Sequence, residues 1–106
     1  VLEDAALSQA ARDVLAERKR QINAEGWTTE HDNEHGDRAL RMAAVCYALG
    51  RTTLRALEWS PDIMLWPWEK ESWKPSTPRR NLIKAGALIL AELERIDRAA
   101  RKQGGA

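Results

Sequence analysis

Arg79 and Arg80 stand side by side in the run Thr77-Pro78-Arg79-Arg80-Asn81, with Lys84 one helical turn further on. A threonine followed by proline is a helix-start signal, the hydroxyl capping and the proline taking the first helical position. Cations at such a start oppose the helix dipole by about 0.3–1 kcal/mol each. Free first-turn amides beside guanidinium forks suit a phosphate or a carboxylate. The pair is therefore a candidate anion site. The competing reading is ion pairing with Asp62, Glu69 or Glu71 of the segment before it.

Tryptophan is the second source of chemistry. The chain has five Trp, one Tyr and no Phe, and Trp59, Trp66, Trp68 and Trp73 fall within fifteen residues. Indoles beside a cationic helix start could hold a nucleobase and its phosphate together, and stacking gives about 1–3 kcal/mol per base. In a chain without Phe the same rings could instead fill a small core. A third group, Glu30, His31, Asp32, Glu34, His35 and Asp37, places two imidazoles and two glutamates at one-turn spacing if helical. Two imidazoles and a carboxylate can bind a metal, and the competing role for these acids is capping the next helix. The fourth, Glu94 and Asp97 with Glu92 nearby, could hold Mg²⁺ on one helix face if Glu30 and Glu34 supplied a second acidic element. Interleaved Arg95, Arg98 and Arg101 suit a solvated tail equally well. Cys46 sits in an apolar stretch and reads as core.

Three helices must position these groups. Residues 8–25 carry Leu7, Ala11, Val14, Leu15 and Ile22 on one face, with Ser8 as cap and Gly26 as stop. Arg18, Gln21 and Glu25 border that face. Residues 26–37 form a polar connector. Residues 38–49 carry Leu40, Ala43, Ala44 and Tyr47 on a second face, with Asp37 as cap and Gly50 as stop, and 51–58 either extend that helix or form another. Residues 59–78 hold all four prolines and read as an irregular loop ordered by its indoles. Residues 78–100 predict the third helix, with a core stripe of Leu82, Ile83, Ile89, Leu90, Leu93 and Ile96. Leu88 lies off that stripe, which points to burial on more than one side. Gly86 allows a ring or another helix to approach, and residues 100–106 should fray. The expectation is a single all-α domain over residues 1–106, three main helices closed by the Trp/Pro loop.

Composition bounds the function. The 106 residues carry 17 Lys+Arg against 16 Asp+Glu, a net charge of +1, which excludes the basic field of a non-specific nucleic-acid binder. Residues 1–37 are net acidic and residues 38–106 net basic, so the halves should attract. One cysteine excludes a disulfide framework and a cysteine-built zinc site. No apolar run reaches membrane-spanning length and no leader-type opening is seen, so the cytosol is the expected location. Three short helices make a thin core, and a homodimer is an open expectation.

Two resemblances add to this. The runs Ala16-Glu17-Arg18-Lys19-Arg20-Gln21-Ile22, Glu25 to Asp32, Trp66-Pro67-Trp68, Trp73-Lys74-Pro75 and Arg79 to Leu82 through Lys84 to Ile89 resemble a family of small phage and prophage proteins. That likeness implies a mobile-element protein made in a bacterial cytosol. Gly26-Trp27-Thr28, Asp32, His35 and Arg80-Asn81 resemble the RyR domain, the repeat module of ryanodine receptors. Thr29 and Gly36 depart from its pattern. That likeness implies a helical module able to bind adenine-type nucleotides. Glu94-x-x-Asp97 is also similar to the all-α nucleotide pyrophosphohydrolases, although their tandem-glutamate first helix is missing.

The leading expectation is binding of a small anionic ligand, a nucleotide or cyclic-nucleotide immune signal that a phage protein would sequester, without a cofactor. Arg79 and Arg80 would hold phosphate, Trp27 and one of Trp66, Trp68 or Trp73 would stack on the base, and Glu30, His31 and Asp32 would read its polar edges. The alternatives are a Mg²⁺-dependent nucleotide hydrolase and a module that docks on a host protein.

Overall fold

The computed structural model describes residues 6–24, 36–56 and 66–104. They form three helices, α1 (Gln9–Asn23), α2 (Gly36–Ala56) and α3 (Pro78–Gly104), and one 3-10 turn (Lys70–Ser72), with no strand among the described residues. The chain is all-α, as its periodicity indicates. No described helix is long and apolar enough to cross a membrane.

The start of α1 follows the capping rule. Ser8 Oγ accepts from the Ala11 amide at 3.0 Å, and the Ser8 carbonyl accepts from the Arg12 amide. Its C-terminal turn closes at Ala24, whose amide donates to the Arg20 carbonyl, while Gly26 lies outside the described residues. The expected apolar face is only half used. Val14 meets α3, but Leu15 is 49% exposed, and the buried residues of α1 are Glu17, Arg18 and Gln21. The polar border of the helix thus faces the fold.

Helix α2 buries Leu40, Ala43, Ala44, Cys46 and Tyr47. It begins at Gly36, so Asp37 lies inside the first turn rather than capping it. Gly50 is the predicted stop. Its φ of 78° and ψ of 166° interrupt the helix, and residues 51–56 resume as a separate helical piece. Only glycine occupies that backbone region at low cost.

Trp66, Trp68 and Trp73 gather on α2 through Tyr47. The Tyr47 ring stands edge-on to Trp66 at 5.5 Å and lies 4.8 Å from Trp73, and Trp66 is edge-on to Trp68 at 5.3 Å. Edge-to-face contacts of this kind suit the ring quadrupoles. The Trp66 Nε1–H donates to the Glu69 carbonyl and to Ser72 Oγ, fixing a 3-10 turn within the segment expected to be irregular. Residues 59–65, including Trp59, lie outside the described residues.

Helix α3 starts where Thr77-Pro78 indicates. Thr77 Oγ1 accepts from the Arg80 amide at 3.2 Å and its carbonyl accepts from the Asn81 amide. Buried Asn81 exchanges two hydrogen bonds with the Ser76 backbone, which ties the segment before the helix to its first turn. The other end does not fray at 100. The helix runs on to Gly104, with Arg101 and Lys102 in its last turn facing the negative end of the dipole.

The expected core stripe of α3 is overturned. Leu82 (58%), Ile89 (51%), Leu93 (51%) and Ile96 (39%) are exposed, and of the predicted set only Ile83 is buried. Asn81, Ala85, Ala87, Leu88, Ala91 and Glu92 turn inward instead. At 100° per residue the four exposed aliphatics fall within an arc of about 60°, opposite Ala87, Leu88 and Ala91. Small residues won the inner face because they let the helices approach closely. Gly86 shows the same thing toward α1: a Cβ there would lie 3.2 Å from both Val14 methyls.

Candidate functional site

The start of α3 packs against α1, and the two arginines find their partners there. Arg79 pairs with Asp13 at 2.9 Å, and Arg80 pairs with Glu17. The loop acids Glu69 and Glu71 expected as partners do not take this role. The acidic first half and basic second half of the chain do attract, at this joint.

Glu17 is the centre of the arrangement. Its side chain is fully buried. Arg20, one turn along α1, grips both carboxylate oxygens at 2.8 Å, and Gln21 Nε2 donates from 3.3 Å. Burial opposes ionisation of Glu17, but the hydrogen bonds and charges of Arg20 and Arg80 outweigh it and hold the carboxyl below its ordinary value. Asp13 is lowered as well, by hydrogen bonds from Gln9 and then Arg79. Three guanidinium groups thus converge on two carboxylates.

An open cleft of about 340 Å³ lies over this joint, lined by Asp13, Ala16, Thr77, Arg79, Arg80 and Ile83. Such a volume falls in the small-ligand range. The Arg79 side chain is 61% exposed at its edge. A second cavity of about 20 Å³, lined among others by Glu17, Gln21, Tyr47 and Lys84, is too small for any organic ligand.

The indoles stand elsewhere. Trp66 is buried in the core cluster, Trp68 and Trp73 pack half-buried against it, and the described lining of the larger cleft contains none of them. Lys84 serves the aromatic side too. Its ammonium lies 5.2 Å from the Tyr47 ring centroid and donates to the Lys74 carbonyl. Trp27, Glu30, His31 and Asp32 lie outside the described residues, as do Glu34, His35 and the Asp37 side chain.

The carboxylates of α3 are held by arginines. Arg18 donates twice to Glu94 Oε1, at 3.0 and 2.9 Å, and buried Glu92 receives Arg41 at 2.6 Å and Arg95 at 2.7 Å. Burial works against Glu92 ionising, and hydrogen bonds from Arg95 and Arg41 overcome it, so its carboxyl also stays below the ordinary range. Among the described residues no three His, Cys, Asp or Glu side chains gather as a metal site.

The structure adds a surface the sequence reading did not single out: the outer face of α3, Leu82, Ile89, Leu93 and Ile96. Its signal was present in the spacing of seven, four and three residues. Large apolar residues at that spacing ordinarily point inward, whereas here Ala85, Ala87 and Ala91 do so. Comparison with known proteins finds no family model, curated protein or solved structure that matches this chain.

Proposed function

We propose that this chain is a helical protein-docking module whose contact surface is the outer face of α3. The observation that supports this is the face of the helix formed by Leu82, Ile89, Leu93 and Ile96, which stays exposed while Ala85, Ala87 and Ala91 pack inward with Ile83 and Leu88. The four half-exposed side chains offer roughly 400 Å² of contiguous apolar surface, within the range where a patch on a small protein marks an interaction site. A photo-crosslinking residue at position 89 or 93 should give an adduct of defined mass in cells. The same residue at position 102, exposed but off the stripe, should give none. Absence of any adduct from positions 82, 89 and 93 would reject the docking role.

A second reading keeps the anion-binding expectation, on the strength of the open cleft beside Arg79 and Arg80. A nucleotide-type ligand could take the exposed Arg79 fork, displacing Asp13 from its arginine. Calorimetry against a panel of mono-, di- and cyclic nucleotides tests it. Arg79→Ala should weaken any binding at least about tenfold, the loss of a charge-assisted hydrogen bond. Silence across the panel, or binding indifferent to Arg79, rejects it.

A further inference from the structure

We propose that the partner on the outer face of α3 is a second copy of this chain, paired antiparallel along the Leu82–Ile96 stripe. The inference rests on the docking reading and specifies its occupant.

Three observations favour a copy over an unrelated protein. The first is the distribution of apolar residues. The core cluster is four alanines with Leu40, Leu88, Cys46, Tyr47 and Trp66, while four of the larger aliphatics of α3 stay outside on one face. A chain that leaves this much of its driving force unused gains most from a partner present in equal amount whenever it is made. A second copy meets that condition.

The second is charge. Arg79, whose pair with Asp13 leaves its side chain 61% exposed, stands at the N-terminal end of the stripe, and exposed Asp97 stands at its C-terminal end. Both fall on the same flank at 100° per residue. A two-fold axis crossing the stripe brings the Arg79 end of one copy beside the Asp97 end of the other, at both ends at once. The helix dipoles then also run opposed. A parallel two-fold would leave each Arg79 at the far end of the stripe from the other copy's Asp97.

The third is area. Two such stripes facing one another bury roughly 800 Å² of apolar surface, and the polar rim brings the total near the lower bound of about 1,200 Å² for a specific interface. Pairing is therefore reversible and depends on concentration. Leu82 of each copy would lie toward the Leu93–Ile96 end of the other, with Ile89 near the axis.

Sedimentation equilibrium of the full chain over about a hundredfold range of concentration tests this. The mass should rise from one chain toward two. Ile89→Glu and Leu93→Glu should hold it at one, with helical circular dichroism unchanged because both positions are half exposed. Orientation is read separately by oxidative cross-linking. A Leu82→Cys chain should couple to an Ile96→Cys chain. Efficient coupling of Leu82→Cys to itself would overturn the antiparallel arrangement. A wild-type mass of one chain at every concentration overturns self-pairing. If the photo-crosslinker at position 93 still yields an adduct with another protein, docking survives that result and only the copy is rejected.

Discussion

Glu17 is the residue on which the α1–α3 joint turns. A carboxylate with no exposed side-chain surface is tolerated because Arg20, Arg80 and Gln21 satisfy it. Glu17→Gln removes the charge and leaves two guanidinium groups facing an amide. It should lower the unfolding free energy by about 1.5–3 kcal/mol, measured by urea denaturation through tryptophan fluorescence. The pH dependence follows from the same contacts. Glu17 and Glu92 bind protons less readily in the fold than in the unfolded chain, so their contribution is complete above the ordinary glutamate value of 4.5 and is lost as pH falls through their lower folded values. The urea midpoint should fall on acidification below about pH 4.5, and less steeply in Glu17→Gln. An equal slope in the two proteins would deny Glu17 this role. Cys46 titrates the other way. Burial pushes its thiol up to about 11, and the thiolate is the reactive form. A disulfide reagent at pH 8 should label the folded chain far more slowly than the urea-unfolded chain, and equal rates would contradict the burial of Cys46.

At the scale of elements, the non-helical backbone at Gly50 divides α2 into two helical pieces. Among the described residues a Cβ at Gly50 would meet only the Asn81 side-chain nitrogen, at an ordinary 3.6 Å, so the cost of Gly50→Ala lies in the backbone. That cost is about 1–3 kcal/mol, read as a lowered urea midpoint. A midpoint equal to wild type would mean that the chain does not need the left-handed conformation there. Helix starts and stops of this kind were legible beforehand. Ser8, Thr77-Pro78 and Gly50 act through local backbone chemistry that does not depend on the rest of the fold. The faces of the helices were less legible. Periodicity shows that apolar residues share a stripe, but α3 carries two stripes, one of large and one of small residues. Which of them packs inward is decided by the distance at which α1 and α2 can approach, a tertiary property absent from the local pattern. The arginine pair was legible as a special place. Its partners Asp13 and Glu17 were not, because they lie more than sixty residues away along the chain.

For the molecule as a whole, the two faces of α3 should respond differently to the same change. Leu88 is fully buried, so Leu88→Ala should cost about 2–5 kcal/mol. Leu93→Ala, measured at a concentration where the chain is monomeric, should cost under about 1 kcal/mol, since half of that side chain already meets water. Costs of similar size under those conditions would place Leu93 in the core and remove the basis for docking. The inversion of α3 also has a bearing on how the protein could be engineered. A redesign for better solubility would begin by replacing surface leucines and isoleucines with lysine or glutamate, and among the described residues it would select Leu82, Ile89, Leu93 and Ile96 together with Leu15. If the docking proposal holds, the product would keep its helices and lose its contact surface, so tolerance to substitution on this helix is a poor guide to what the chain can spare.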